Sequence, residues 1–359
     1  MPPSVCLNMI VKNEAHVIRR CLASARPFVT HWVIVDTGST DGTQEIIRAH
    51  LAGIPGELHE RPWRDFGHNR SEAIALARGK AGYILTMDAD NVFHAPQGWA
   101  WPALEADAYL LALRSAGSEY RQCLLVSDRL QWRWVGVVHE YLESTPAHRA
   151  VPLDGPWIDR RHEGARSRDP ETFRKDAAAL ERALAAEPGN ARHAFYLAQS
   201  WRDAGEPAKA REAYLRRAGM GGWEEERWCA LYEAARLVER LGAPIAEVRS
   251  AYLEAWQARP ARAEPLVELA RLHRERGEWA LAHLFARQAA AIPRPADILF
   301  VDAAAYAWRA LDELGAAAWY VGAIDEGRVA LERALASGSV PEGERPRLEA
   351  NLAFYRPAG

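Results

Sequence analysis

Past Asp169-Pro170 every strand signal disappears and the chain turns to Ala, Leu, Glu and Arg, a break that constrains the fold more than any single residue. Three segments of the second half align: Phe195 to Gly205, Leu231 to Gly242 and Leu266 to Gly277. In each, an alanine (Ala198, Ala235, Ala270) stands seven residues before the glycine, and the glycines recur at intervals of 37 and 35. A small residue at one helical position lets two helices approach closely, and glycine turns the chain between them. Pro188, Pro260 and Pro293 close repeats similarly, and Leu311 to Leu335 reads as a degenerate fourth. Residues 169–359 are therefore expected to form an all-α repeat domain.

Residues 1–168 alternate differently. Apolar runs at Val5 to Val11, Trp32 to Val35, Gly56 to His59 and Gly82 to Met87 read as strands. Between them, Val17, Ile18, Cys21 and Leu22, then Ile46 and Ile47, then Ala73, Ile74 and Ala77 fall at helical spacing. Strands alternating with helices predict an α/β sheet, mainly parallel. Ala106 to Asp159 is β-rich, with candidate strands at 107–113, 122–126 and 132–142.

The fourth of these strands ends in Met87-Asp88-Ala89-Asp90-Asn91. Side chains alternate on an extended chain, so Asp88 and Asp90 share a face about 7 Å apart. Ligands of open α/β sheets bind beyond the carboxyl ends of the strands. A hard divalent cation held by one or two carboxylates, with positions left for water and phosphate oxygens, is one way to grip a diphosphate there. A surface turn has the same composition, and on these residues alone both readings stand. Asp36 closes the second strand in the same position, whereas turn and helix-cap chemistry accounts for Asp41 equally well. The chain has no Gly-x-Gly-x-x-Gly, and Gly79-Lys80 lacks the rest of a P-loop, so a bound diphosphate would need a metal.

Bulk composition narrows the partners. A net charge of −3 gives no reason to expect nucleic acid or an anionic membrane. The four cysteines form no Cys-x-x-Cys pair and read as reduced core thiols of a cytoplasmic protein. No basic segment leads into an apolar one at the start, and no run of about 18 apolar residues occurs, so neither a secretion signal nor a transmembrane segment is expected.

Taken in order, Leu7-Asn8-Met9-Ile10-Val11-Lys12-Asn13-Glu14, Val35-Asp36-Thr37-Gly38-Ser39-Thr40-Asp41-Gly42-Thr43, Phe66-Gly67-His68-Asn69-Arg70 and Met87-Asp88-Ala89-Asp90 resemble the family 2 glycosyltransferases of GT-A fold. The resemblance implies an inverting transferase (EC 2.4) moving a hexosyl or N-acetylhexosaminyl group from a nucleotide sugar, most often UDP-linked, with Mn²⁺ or Mg²⁺. Position by position it implies that Asp36 touches the uracil or ribose, Arg70 the base or diphosphate, Asp88 the ribose side and Asp90 the metal. Lys12, Asn13 and Asn69 lie in the matched segments and are assigned to the same donor pocket. Many relatives carry a second acid after the Asp36 position; here it is Thr37.

Val137-Val138-His139-Glu140 is similar to a segment at the acceptor edge of such enzymes, and it makes Glu140 the expected base for the acceptor proton. A polar sheet edge or a salt bridge is the competing reading of His139 and Glu140. The resemblance further implies a histidine as third metal ligand beside Asp90 and Asp88, with His162 placed for it and His139 the alternative. Arg166 is expected to neutralise the diphosphate. The second half resembles a tetratricopeptide (TPR) array, which implies a helical solenoid whose concave face binds an extended peptide. The acceptor is thus expected to be a protein or peptide side chain, with a lipopolysaccharide or other glycan as the alternative. A TPR interaction scaffold with an inactive transferase domain is the reading from another class.

Overall fold

Seven consecutive residues, Val5–Val11, form the first strand (β1), and the alternation of their side chains builds a three-layered unit. Val5, Leu7, Met9 and Val11 pack with Ile18, Cys21 and Leu22 of α1 (Ile18–Ala25) and with Ile46 and Ile47 of α2 (Thr43–His50). Cys6 faces the other layer with Ile74 of α3 (Phe66–Leu76), Trp132 and Trp134. Asn8, the polar break in this strand, is a brace: its Nδ2 donates to Val33 O at 3.1 Å and to Ala73 O at 2.9 Å, tying α3 to the sheet.

The computed structural model describes residues 3–115 and 118–355, divided into two units, Met1–Ala186 and Glu187–Gly359. In the first unit the remaining strands are β2 (His31–Asp36), β3 (Gly56–Glu60), β4 (Tyr83–Thr86), β5 (Asn91–His94), β6 (Ala108–Ser115), β7 (Ser118–Ser127), β8 (Gln131–Val135), β9 (Tyr141–Thr145) and β10 (Ala150–Arg160). Eight of the strands form one sheet in the order β3-β2-β1-β4-β7-β6-β10-β5. Strands β3, β2, β1 and β4 run parallel, and β7 runs antiparallel to β4 and β6. The order reverses between β1 and β4, so the segments after β1, β2 and β4 open into one crevice. Helix α4 (Thr172–Ala186) closes this unit, anchored by the Arg166–Asp176 ion pair, so the division falls one helix beyond residue 168.

The expected strand over 132–142 is instead a hairpin. β8 and β9 pair with each other in a separate two-stranded sheet, and Gly136 to Glu140 make the turn. Gly136 (φ 110°) and His139 (φ 53°) are left-handed, a conformation no continuous strand contains. The turn lies against the start of α3, where Gly67 is required: a Cβ there would sit 2.4 Å from Gly136 O.

The second unit is a run of helical hairpins: α5 (Ala191–Asp203) with α6 (Pro207–Ala218), α7 (Glu224–Arg240) with α8 (Ile245–Ala258), and α9 (Glu264–Glu275) with α10 (Trp279–Ala291). A fourth pair, α11 (Ala310–Tyr320) and α12 (Ile324–Ala336), is followed by α13 (Arg345–Ala353). Ala198, Ala235 and Ala270 are fully buried, as the repeat pattern requires. Gly205, Gly242 and Gly277 are left-handed, and the residue after each donates back five positions, which ends the helix in a Schellman turn. The fourth repeat keeps both features. Gly322 turns the chain, and Gly315, seven residues earlier, has no room for a Cβ, which would lie 2.4 Å from Leu331 Cγ. It reads as degenerate because Gly322 follows Gly277 by 45 residues, the extra length being a segment between α10 and α11. All four cysteines are free, and among the described residues no helix is long and apolar enough to cross a membrane.

Candidate active site

Arg70 organises the crevice. It lies one turn into α3, and its guanidinium, 11% exposed, reaches Asp88 Oδ1 at 2.5 Å through Nη2 and Glu140 Oε1 at 2.6 Å through Nε. The contact with Glu140 is an ion pair rather than a well-directed hydrogen bond. Trp134 stacks against the guanidinium at 5.3 Å. Burial disfavours the charged form of Arg70, but Asp88 and Glu140 outweigh it and hold the pKa above its ordinary value. Burial likewise works against the charge on Asp88, yet Arg70, with Arg160 and His162 behind it, keeps that carboxyl below the usual carboxylate range.

The neighbouring loops are tied to one another. Asp36 is fully buried at the end of β2, where its Oδ1 accepts from Gly38 N and Ser39 N, both at 2.8 Å. Its Oδ2 is buried as well and has no hydrogen-bond partner among the described residues. Asn13, left-handed at φ 57°, accepts from Thr40 N at 2.8 Å and donates its own N–H to Ser39 Oγ. Asp41 accepts from Ala15 N and from the N–H and hydroxyl of Thr43, so it serves as a brace between the loops. Lys12 is exposed at the rim. A shallow concavity of about 620 Å³ opens beside Asn13, Asp41 and Arg168.

Asp90 and Glu14 hold the chain that follows β10. Asp90 Oδ2 accepts from Glu163 N at 2.9 Å and Gly164 N at 3.0 Å, while both oxygens of Glu14 accept from Ala165 N. Glu14 belongs to the polar triplet at the carboxyl end of β1, and that placement was the signal that could have singled it out from sequence. Burial pushes its pKa up, Asp90, Asp88 and Asp41 add to the rise, and the Ala165 N–H opposes it, leaving about 7. The folded chain therefore keeps a proton that the unfolded chain, near 4.5, has released, so stability falls as pH rises through this window. Chemical denaturation in EDTA from about pH 5 to about pH 8 is expected to show a decline that Glu14→Gln removes, roughly 2 kcal/mol at most. An unchanged slope in the variant would count against this.

The donor set suits a hard cation. Asp88 and Asp90 each keep one carboxylate oxygen without a hydrogen bond among the described residues, and these two oxygens would hold Mg²⁺ or Mn²⁺ if water and phosphate filled the other positions. The expected set of three protein ligands is not assembled. His162 is left-handed, with its Nε2 3.2 Å from Ser115 Oγ, and among the described residues no three His, Cys, Asp or Glu side chains converge as a cation cage. His139 sits exposed in the hairpin turn.

Two residues expected in the donor pocket have other partners in the structure. Asn69 is fully buried, and its amide is committed to backbone, donating to Pro62 O and accepting from Arg64 N; it shapes the loop before α3. Arg166 pairs with Asp176 and lies 4.8 Å from the Phe66 ring, so its charge is already matched.

Comparison with known proteins agrees with this architecture. Residues 6–97 match the family described as Glycosyl transferase family 2. A TPR repeat-containing protein of Synechococcus elongatus, Synpcc7942_0270, is 31% identical over 320 residues, covering 80% of this chain and 75% of that one. The chain belongs to this family of TPR repeat-containing proteins, and in it a family 2 glycosyltransferase domain precedes the repeats. The SPbeta prophage-derived glycosyltransferase SunS of Bacillus subtilis is 30% identical over 92 residues, 25% of this chain and 21% of SunS. Among solved structures, the C-terminal part of a TPR repeat-containing protein from Cytophaga hutchinsonii is similar at a TM-score of 0.38 and 14% identity, covering 52% of this chain and 71% of that one.

Proposed function

We propose that the first unit transfers a hexosyl or N-acetylhexosaminyl group, with inversion, from a nucleotide diphosphate sugar, UDP-linked, to an acceptor recognised by the helical repeats. The observation that carries this reading is the chain of contacts Asp88–Arg70–Glu140 at the switch point of the sheet, with Asp90 two residues beyond Asp88. Asp88 and Asp90 would hold Mn²⁺ or Mg²⁺, which would neutralise charge developing on the departing diphosphate.

The chain's own residues supply the remaining steps. Arg70 is shared by two carboxylates, and a diphosphate oxygen that engages it weakens its hold on Glu140. Released from that pairing, Glu140 can take the proton of the acceptor nucleophile as the bond from the anomeric carbon to the diphosphate breaks and the new glycosyl bond forms. The salt bridge that offered itself as the alternative reading of Glu140 is thus the resting state of the base, and it is relieved when donor binds. The nucleoside would lie against the loop that Asp36 holds through Gly38 N and Ser39 N, and Asn13 keeps the adjoining loops in register.

Thermal unfolding with UDP and Mn²⁺ tests this directly: ligand at about 100 times its dissociation constant adds about 2.7 kcal/mol. Glu140→Gln is expected to keep that shift and to lower sugar transfer by about 10²- to 10⁴-fold. No shift with any nucleoside diphosphate would sink the reading and favour the inactive scaffold.

A further inference from the structure

The second unit holds a concavity of about 600 Å³ among α9, α10, α11 and α13, within the range of small-ligand sites. Two features give it a chemical character. Its aromatic surface is open: Trp319 is 43% exposed, Tyr320 59% and Phe354 68%, and Tyr320 stacks flat on Trp279 at 3.7 Å. Its charges are closed on themselves. Arg274 makes a two-pronged contact with Glu313 at 2.7 and 3.1 Å, and Arg347 makes one with Asp312 at 2.7 and 3.0 Å.

Each of these two guanidiniums is gripped by both oxygens of its own carboxylate, which makes it a poorer anchor for a phosphate or a peptide carboxylate than one held by single contacts. The planar fork still presents outer N–H donors beside carboxylate lone pairs, and a hydroxyl, being donor and acceptor at once, can use both. Asn351 adds one more group of each kind on the same wall. A flat indole next to such forks suits the C–H face of a pyranose ring. An extended peptide is the less fitting occupant, and the array already grips one of its own: Glu225 accepts from Ile298 N and Leu299 N, and Arg262 donates to Leu299 O and Phe300 O.

We propose that this concavity binds a neutral saccharide, the glycan part of the acceptor or product. The binding site stands on the second unit alone; only its assignment to the acceptor rests on the transferase reading above.

The test is saturation-transfer NMR on the full chain with neutral oligosaccharides built from glucose, galactose, mannose and N-acetylglucosamine. At least one is expected to bind, with affinity falling about tenfold or more in Trp319→Ala and in Tyr320→Ala, two exposed positions, and staying unchanged in Asp90→Asn. Circular dichroism of each variant checks the fold. Absence of binding by all four series, binding indifferent to both aromatic substitutions, or binding of a Trp-containing peptide in place of any saccharide would overturn the proposal. Failure of UDP to shift unfolding while saccharide still binds would remove the transferase reading and leave this site intact.

Discussion

Asp90→Asn is expected to lower sugar transfer by about a thousandfold while changing stability by no more than about 1 kcal/mol. The asparagine oxygen can still accept from the N–H groups of Glu163 and Gly164, so the segment after β10 stays in place. What the substitution removes is the negative charge that would hold the cation. Assay with a saturating nucleotide sugar, with unfolding measured in parallel, separates the two roles. A variant that transfers sugar at the parental rate would place the metal elsewhere or dispense with it. A variant that loses activity only because it unfolds would make Asp90 a structural latch.

Arg70→Ala should be costly on both counts. Asp88 and Glu140 would lose their shared cation, and removing one partner of a buried ion pair destabilises by about 3–5 kcal/mol. The partial exposure of Asp88 puts the expectation at the lower end of that range. On the proposed function UDP should no longer raise the melting temperature measurably, because the group that would engage the diphosphate is gone. The double variant Arg70→Met with Glu140→Gln tests the cause: removing the stranded charge should return about 1–2 kcal/mol relative to Arg70→Met alone. No recovery would mean that Arg70 supports the fold through Trp134 rather than through the carboxylates.

The parallel half of the sheet was legible because strands buried on both faces read as apolar runs, and Asp36 and Asp88 could be placed at their ends for the same reason. The helical half was legible from the alanine and glycine spacing. What stayed hidden depends on contacts distant in sequence. Nothing local to Glu140 announces that Arg70, 70 residues earlier, neutralises it. Asn69 sits beside Arg70 in the same motif, but a helix turns neighbours apart, and one points to the crevice while the other holds a loop. The hairpin over 131–145 was read as one strand because its turn contains valines, residues that favour strands, and the backbone angles of Gly136 and His139 overrule them. Glu14 ends the polar triplet after β1, but its role escaped assignment because its partner is the main-chain N–H of Ala165, which no side-chain pattern records.

The segment between α10 and α11 carries one more implication. Solenoids ordinarily melt piecemeal, since each hairpin leans only on the next. Here Phe300 stacks on Phe195, while its neighbours join Glu225 and Arg262, so one stretch of chain clasps three hairpins at once. Fraying from the end nearer residue 187 must undo that clasp first, which turns a modular stack into a single cooperative block.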